Sequence, residues 1–507
     1  MSPLPEFPKR GGILLRALLA GLIVVVLTAG VTATVGLNTV QDFVDDLKQG
    51  GTIAGASSVI SRADAGDPQT ILIIGSDHRF GADRRDARSD TMILVRMDSD
   101  ANATTVLSIP RDLKVDYTYR GILRTGAKIN ETYTTGGEAL TARVVKRLLG
   151  VPINHIINVN FRGFRAAVDA IDCVYVDVDK RYYHSNLGLP ASEHYAEIDV
   201  PAGYQRLCGE KALDYVRFRH ADSDFVRAAR QQDFLRQVKS QYGIDQFIDD
   251  PHQVTRQVGK YMRTDAALQS KEELLRLVNL AAYSAGNPIR EVHFPAAYEN
   301  TAAGSYVVAD EQTLRRVRKE FLTPGAREPQ VRPARRAGGG GNKRRKQRGP
   351  NTSGLANMAQ TGKDYAIQLG ATRFPVYYPK LLTAGGQYMP PERNARGLLE
   401  YPRPYRIKAP DGKMKAAYRL VVSYGEDGNY YGIQGTTWKD PPILRHPSAD
   451  RRTINGKKLE LFYDGKRLRT VAWRTPRAVY WVQNTLQERL TNDQMLAIAG
   501  SLTRLGG

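Results

Sequence analysis

Residues 17–37, ALLAGLIVVVLTAGVTATVGL, run for twenty-one positions without a charged side chain. At about 1.5 Å per residue, a helix of that length spans roughly 30 Å, the thickness of one hydrocarbon core. Lys9, Arg10 and Arg16 precede the run, and Asp42, Asp45 and Asp46 follow it. A basic flank stays on the cytoplasmic side. The expectation is therefore a cytoplasmic basic tail over 1–16, one transmembrane helix over 17–37, and the main domains outside the cell in a single-pass membrane protein. The rival reading is a cleaved signal peptide, whose apolar region usually covers only ~7–15 residues.

The outside placement gives meaning to the charge. The chain carries a formal net charge of +21, which favours polyanionic partners. Outside the cell these are anionic lipid and wall polymer; nucleic acid is excluded as a partner. Cys173 and Cys208 are the only cysteines. In an oxidising compartment such a pair is a candidate disulfide, against the alternative of two buried thiols.

Residues 38–68 read as a juxtamembrane connector with a short helix. TILIIG (70–75), DTMILVRMD (90–98) and TTVLSIP (104–110) are short β-branched runs bounded by Asp, Gly and Pro, and read as strands. Segments 136–150, 161–171, 224–242 and 271–285 carry apolar residues at helical spacing. The mixture indicates a layered α/β domain over 69–322. Residues 323–350 are dominated by Gly, Pro and Arg, with eight Lys/Arg between 332 and 348. They read as a disordered basic linker, either a solvated spacer or a contact for anionic polymer. Residues 351–507 then hold a helix at 354–370, two hairpins about Asp427-Gly428 and Asp464-Gly465, a strand at 478–484 and a closing helix from Thr491 or Asn492. This predicts a small α+β C-terminal domain with no catalytic constellation.

The segment DYVRFRHADSDFVRAARQQDF (214–234) places Arg217 and Arg219 two apart, and Arg227, Arg230 and Gln231 at i, i+3, i+4. The first pair would share a face of a strand, and the second set a face of a helix. A strand–turn–helix unit would aim all four guanidiniums into one cleft, with Asp224 pairing one of them. Such forks suit phosphate oxygens. Three strand ends carry further charges: Asp77 after ILIIGS, Arg88 and Asp90 before TMILV, and Arg111 and Asp112 after LSIP. Open α/β sheets place their sites at strand ends. Two carboxylates beside phosphate-binding cations suit a hard cation such as Mg²⁺. Taken singly, each carboxylate is more often a cap or turn residue than a ligand.

The motifs ILIIGSD, RSDTMILV, LSIPRD, KIN (128–130), VNFRGF and YVRFRHADSDFVRAARQQ follow the order of the LytR-CpsA-Psr family, which this chain resembles over about 70–240. The resemblance implies a mixed central sheet sandwiched by helices, with an apolar pocket for a lipid tail. It implies a phosphotransferase that moves a glycopolymer from a polyprenyl-pyrophosphate carrier to peptidoglycan, attacking with a sugar hydroxyl and releasing polyprenyl phosphate. It also implies Mg²⁺ on Asp77 and Asp90, and pyrophosphate contacts by Arg88, Arg111, Arg217, Arg219, Arg227 and Gln231, with Lys128 added from KIN. The chain departs from the family pattern at His78, and 351–507 matches the common extension only around SGLANMA (353–359). Two other readings stay open: hydrolysis of the carrier with water as acceptor, and a non-catalytic basic protein that binds wall polymer.

Overall fold

The computed structural model describes residues 37–506 apart from 77–88, 100–102, 191–193, 195, 219–223, 242–257, 285–288, 293, 295–296, 302–303, 324–348, 391, 394–398, 401, 403, 426–428, 446–447 and 465. The predicted anchor lies outside the described residues except for Leu37. Among the described residues no helix is long and apolar enough to cross a membrane. The chain divides into two compact units. The first comprises residues through 174 with 208–217 and 231–326; the second comprises 175–207, 218–230 and 327–507.

The first unit is built on a mixed six-stranded sheet. Its strands are β1 (Gln69–Ser76), β2 (Ser89–Asp98), β3 (Ala103–Ile109), β4 (His155–Asn160), β5 (Met262–Thr264) and β6 (Ile289–Val292), in the spatial order β5-β4-β1-β2-β3-β6. β1 runs parallel to β4 and antiparallel to β2, and β3 runs antiparallel to β2 and parallel to β6. Every residue of β1 is buried, as its unbroken apolar run demands of a strand covered on both faces. Helices α1 (Leu37–Gly50), α2 (Glu131–Leu149), α3 (Phe161–Ala170), α4 (Gly209–Arg217), α5 (Asp224–Gln241), α6 (Lys271–Ser284) and α7 (Glu311–Leu322) accompany the sheet; α5 passes from the second unit into the first at Gln231.

The predicted connector is packed structure. Val40, Phe43, Val44 and Leu47 of α1 fall at i, i+3, i+4, i+7 and are all buried, the stripe expected of a helix on a core. Gly50 ends α1 where a side-chain carbon would collide with the Met262 carbonyl, so only glycine fits there.

Beneath β4 and α6 lies a buried polar triad. His155 Nδ1 meets Asp265 at 3.3 Å, and its Nε2 faces Gln69 at 3.1 Å and Glu273 at 3.4 Å. Asp265 also accepts the backbone N–H of Ile156 at 2.9 Å. Burial alone would depress the His155 imidazole, but the Asp265 and Glu273 carboxylates raise it to about 9. Hydrogen bonding to His155 lowers Glu273 in turn. A histidine raised above its unfolded value adds stability that is complete below about pH 6.5 and is lost as pH climbs through about 9. The first unit should therefore lose up to about 3 kcal/mol between pH 6.5 and 9.5, by 1.36 kcal/mol per unit. Thermal unfolding by circular dichroism across that range checks this. A His155→Gln chain should show a flat profile there, and an equally steep one would refute the account.

Cys173 and Cys208 are bonded to each other, 35 residues apart in sequence. Closing a loop of that size restricts the unfolded chain, worth about 3–4 kcal/mol in the chain-entropy picture. The double variant Cys173→Ser/Cys208→Ser is expected to unfold at correspondingly lower urea. Wild type in reductant should shift by the same amount.

In the second unit an eight-stranded sheet dominates. Its strands are β7 (Gln387–Tyr388), β8 (Tyr405–Lys408), β9 (Met414–Ser423), β10 (Tyr430–Thr436), β11 (Asp450–Ile454), β12 (Lys457–Asp464), β13 (Arg467–Arg474) and β14 (Val479–Gln483). The order is β7-β9-β10-β14-β13-β12-β11, with β8 also paired to β9. Both expected hairpins form, β9–β10 and β12–β13. The C-terminal region is mostly β rather than α+β. The predicted helix at 354–370 begins as a strand, Leu355–Asn357, and is helical only over α8 (Ala359–Ile367). The closing helix α9 (Asn492–Ser501) has a capping box between Thr491 and Gln494.

The unit also incorporates, from Tyr175 on, the strand 174–178 and its partner 203–207. Tyr175 and Tyr204 share a buried cluster with Ile407, Trp438, Val479 and Trp481. Asp177 is the polar centre of that cluster. It accepts Trp481 Nε1–H at 2.8 Å on one oxygen and Arg419 on the other.

Candidate active site

The strand register builds one end of the six-stranded sheet into a site. Gly75 of β1 pairs with Thr91 of β2, but Ser76 pairs with Ser89. Asp90 is thus the extra residue of a β-bulge, opposite the last two residues of β1. Bulges recur beside active sites because the additional residue is re-aimed. Met92 pairs with Ile109, so β3 ends at the same edge and delivers Pro110, Arg111 and Asp112 there. The end of β1 at Gly75 and Ser76, the start of β2 at residues 89–91 and the PRD motif after β3 therefore lie at one end of the sheet. Asp77, Arg88 and Arg219 lie outside the described residues, as do the side chains of Asp90 and Asp224.

At this edge Gln231 of α5 donates its amide to the Thr91 hydroxyl at 3.2 Å and to the Val216 carbonyl at 3.2 Å. One glutamine thus ties the residue after Asp90 to the last turn of α4. Arg111 is buried, with Nε 3.5 Å from Asp112. Lys128 Nζ meets the other Asp112 oxygen at 3.0 Å and sits 5.4 Å above the Tyr306 ring. The PRD and KIN motifs are thereby joined, with Asp112 holding two cations in place. That role suits a half-buried carboxylate between cations better than proton transfer.

The arginine segment departs from the predicted strand–turn–helix. GEKALDYVR is helix α4, because Ala212, Tyr215 and Val216 lie at i, i+3, i+4 and all face the interior. Arg217 is therefore a helix C-terminal residue and not one of a strand pair. Its guanidinium bonds Asp214 at 2.7 Å and Glu210 at 3.3 Å and lies over the Phe161 ring. Burial raises the Asp214 carboxyl, and the Arg217 bond pulls it back. In the second unit, Arg227 is buried and Arg230 is fully buried. The Arg230 guanidinium donates to the Phe218 carbonyl and stacks 4.4 Å from the Tyr182 ring centre. It thereby ties α5 to Phe218, whose ring packs edge-on against Tyr182. Helix α5 covers 224–241 as expected.

A second tier was not legible as a site. Ser76 donates to Asn158 at 2.9 Å, and the Asn158 amide donates to Tyr133 and to Glu138, each at 2.8 Å. Arg263 reaches Glu138 at 3.1 Å. Burial first, and then Glu138, pushes the Tyr133 hydroxyl up to about 12. This network fixes the residue preceding Asp77. Its one sequence signal is Asn158, an amide within the apolar run HIINVN. Among the described residues, the one metal-like grouping is Asp169 with Cys173 and Cys208, whose sulfurs are spent on each other.

A family model, LytR_cpsA_psr, matches residues 36–322, more than half of the chain. The chain belongs to the LytR_cpsA_psr family. It is 33% identical over 212 residues to the polyisoprenyl-teichoic acid–peptidoglycan teichoic acid transferase TagU of Halalkalibacterium halodurans, covering 41% of this chain and 65% of that protein. The TagU of Bacillus cereus is 34% identical over 176 residues, covering 34% of this chain and 52% of the relative. The chain thus spans between about half and two thirds of the length of the curated relatives it matches. Similar solved structures include B. subtilis TagV, at 25% identity and a TM-score of 0.40, covering 51% of this chain and 96% of that one. Another is YwtF (TagT) with bound octaprenyl pyrophosphate lipid, at 22% identity and a TM-score of 0.38, covering 54% and 97%.

Proposed function

We propose that this chain is a membrane-anchored, extracytoplasmic phosphotransferase that moves a glycopolymer from a polyprenyl-pyrophosphate carrier onto peptidoglycan. The observation that carries the reading is the bulge at Asp90, set where β1 and β3 also end. Family membership and the teichoic acid transferase relatives support the same chemistry. Asp77 and Asp90 would hold Mg²⁺, since adjoining strand ends bearing two carboxylates match its preference for one or two protein oxygens plus substrate phosphate. When bound, the ion would supply positive charge to the diphosphate.

This chain's residues do the rest. Arg111 and Lys128, steadied by Asp112, neutralise charge growing on the leaving phosphate. The family motifs alone add Arg88, Arg217, Arg219 and Arg227 as further diphosphate contacts, and Gln231 fixes α5 to the bulge. Arg230 and Asp224 position the arginine loop. A peptidoglycan hydroxyl, such as that on muramic acid C6, attacks the phosphorus joined to the glycan. As the new phosphodiester forms, the bond to polyprenyl phosphate breaks, and the hydroxyl proton passes to solvent water. Such a transfer depends mainly on positioning and charge neutralisation.

The test uses full-length protein in vesicles with lipid-linked polymer and peptidoglycan. Polymer attached to peptidoglycan should appear with free polyprenyl phosphate, and Asp90→Asn should lower it about 100-fold or more. EDTA should abolish transfer and added Mg²⁺ should restore it. Polymer released without attachment, at an undiminished rate, would establish the hydrolytic reading instead.

A further inference from the structure

The second unit contains a cavity of about 310 Å³ that the proposed transfer reaction does not use. Its residues come from the 175–207 segment, from α8 and from the C-terminal sheet with its connecting segments. Cations dominate its charge: Lys180, Arg181, Arg406 and Arg419 line it, with Asp199 as the carboxylate. Arg181 grips Asp199 through two bonds of 2.8 and 2.9 Å, so those two charges are paired with each other. Arg406 stands exposed on strand β8.

Arg419 is the unusual member. Its side chain is only 3% exposed, and one nitrogen is committed to Asp177. Its Nε and Nη2 have no hydrogen-bond partner among the described residues. Gly432 on the neighbouring strand makes room for it, because any side-chain carbon there would overlap the guanidinium. Buried N–H groups are normally satisfied. These two nitrogens are closed off against the Gly432 backbone, so Arg419 contributes positive charge to the cavity wall, and exposed Arg406 supplies donors that an anion can reach.

The remaining walls are flat and apolar. Tyr365 lines the cavity, stacked 4.4 Å from the Tyr388 ring and held by a 2.9 Å bond from its hydroxyl to the Met389 carbonyl. Tyr405 is fixed by accepting the Tyr204 N–H at 2.7 Å and donating to Gln434 at 2.9 Å. Pro201, Pro390 and Pro402 complete the apolar surface. Rigid aromatic faces suit the C–H faces of a sugar ring, and the cations suit a carboxylate or phosphate attached to it. The volume lies at the low end for ligand pockets, enough for one ring and its anionic group.

We propose that this cavity binds a saccharide unit bearing an anionic group, as a polymer-recognition subsite. The assignment stands on the second unit alone and holds whether or not the chain transfers polymer.

The probes are glucose 6-phosphate, glucuronic acid, glucose and inorganic phosphate, titrated into full-length protein by calorimetry and ligand-detected NMR. One or both anionic sugars should bind at least about tenfold more tightly than glucose or phosphate alone, the worth of one charge-assisted hydrogen bond. Preference for the phosphate or the carboxylate sugar identifies which polymer chemistry is read. Arg419→Met should weaken binding by about tenfold or more. Arg406→Gln and Tyr365→Ala, which do not touch the buried pair with Asp177, should weaken it as well. Arg111→Met should leave it unchanged, which separates this subsite from the diphosphate clamp. Equal binding of glucose, no binding of either anionic sugar, or wild-type affinity in Arg406→Gln and Tyr365→Ala would overturn the proposal.

Discussion

Replacing Arg111 with methionine is expected to reduce polymer transfer about 100- to 1000-fold, the usual cost of removing one preorganised group from a developing negative charge. The guanidinium is buried at the end of β3, at the same sheet edge as the Asp90 bulge, and Asp112 fixes it. Methionine keeps much of the side-chain length and loses only the charge and its donors. The loss should therefore appear in kcat more than in KM. Lys128→Met should act in the same direction and couple with Arg111→Met, because both cations share Asp112. If the two losses simply add, or if transfer survives in Arg111→Met, the clamp is misassigned.

Asp177→Ala is expected to destabilise the second unit by about 3–5 kcal/mol, because breaking a buried pair leaves its partner charge uncompensated. Here two partners are stranded, the Arg419 guanidinium and the Trp481 indole N–H. Asp177→Asn should keep an acceptor for Trp481 and recover part of the loss. The chain's three tryptophans, Trp438, Trp473 and Trp481, all lie in the second unit. Urea unfolding followed by tryptophan fluorescence therefore reports that unit specifically. A wild-type midpoint in Asp177→Ala would show that the C-terminal sheet stands without the 175–207 segment. The expected drop would show that the segment is part of its core.

Several elements were legible because their signals are local. Strand β1 is written in an unbroken β-branched run, and α1 in the spacing of Val40, Phe43, Val44 and Leu47. The β12–β13 hairpin is written in Asp464-Gly465. The Arg217–Arg219 pair misled because a two-residue spacing fits a strand as readily as the end of a helix. Burial of Ala212, Tyr215 and Val216 decided for the helix. The Ser76–Asn158–Glu138 network stayed hidden because its members come from β1, β4 and α2, and no local spacing connects them.

By itself, the sequence determined the apolar run at the N-terminus, the α/β pattern after it, and the charged residues that close each strand. These follow from periodicity and side-chain chemistry, which act over a few neighbouring residues. Only the tertiary structure decided that Asp90 is a bulge residue beside the end of β1, that Asp112 joins Arg111 to Lys128, and that residues 175–207 share a core with the C-terminal sheet. Register and long-range pairing are set by how whole faces pack together, and a one-residue shift in either would turn every one of those side chains elsewhere.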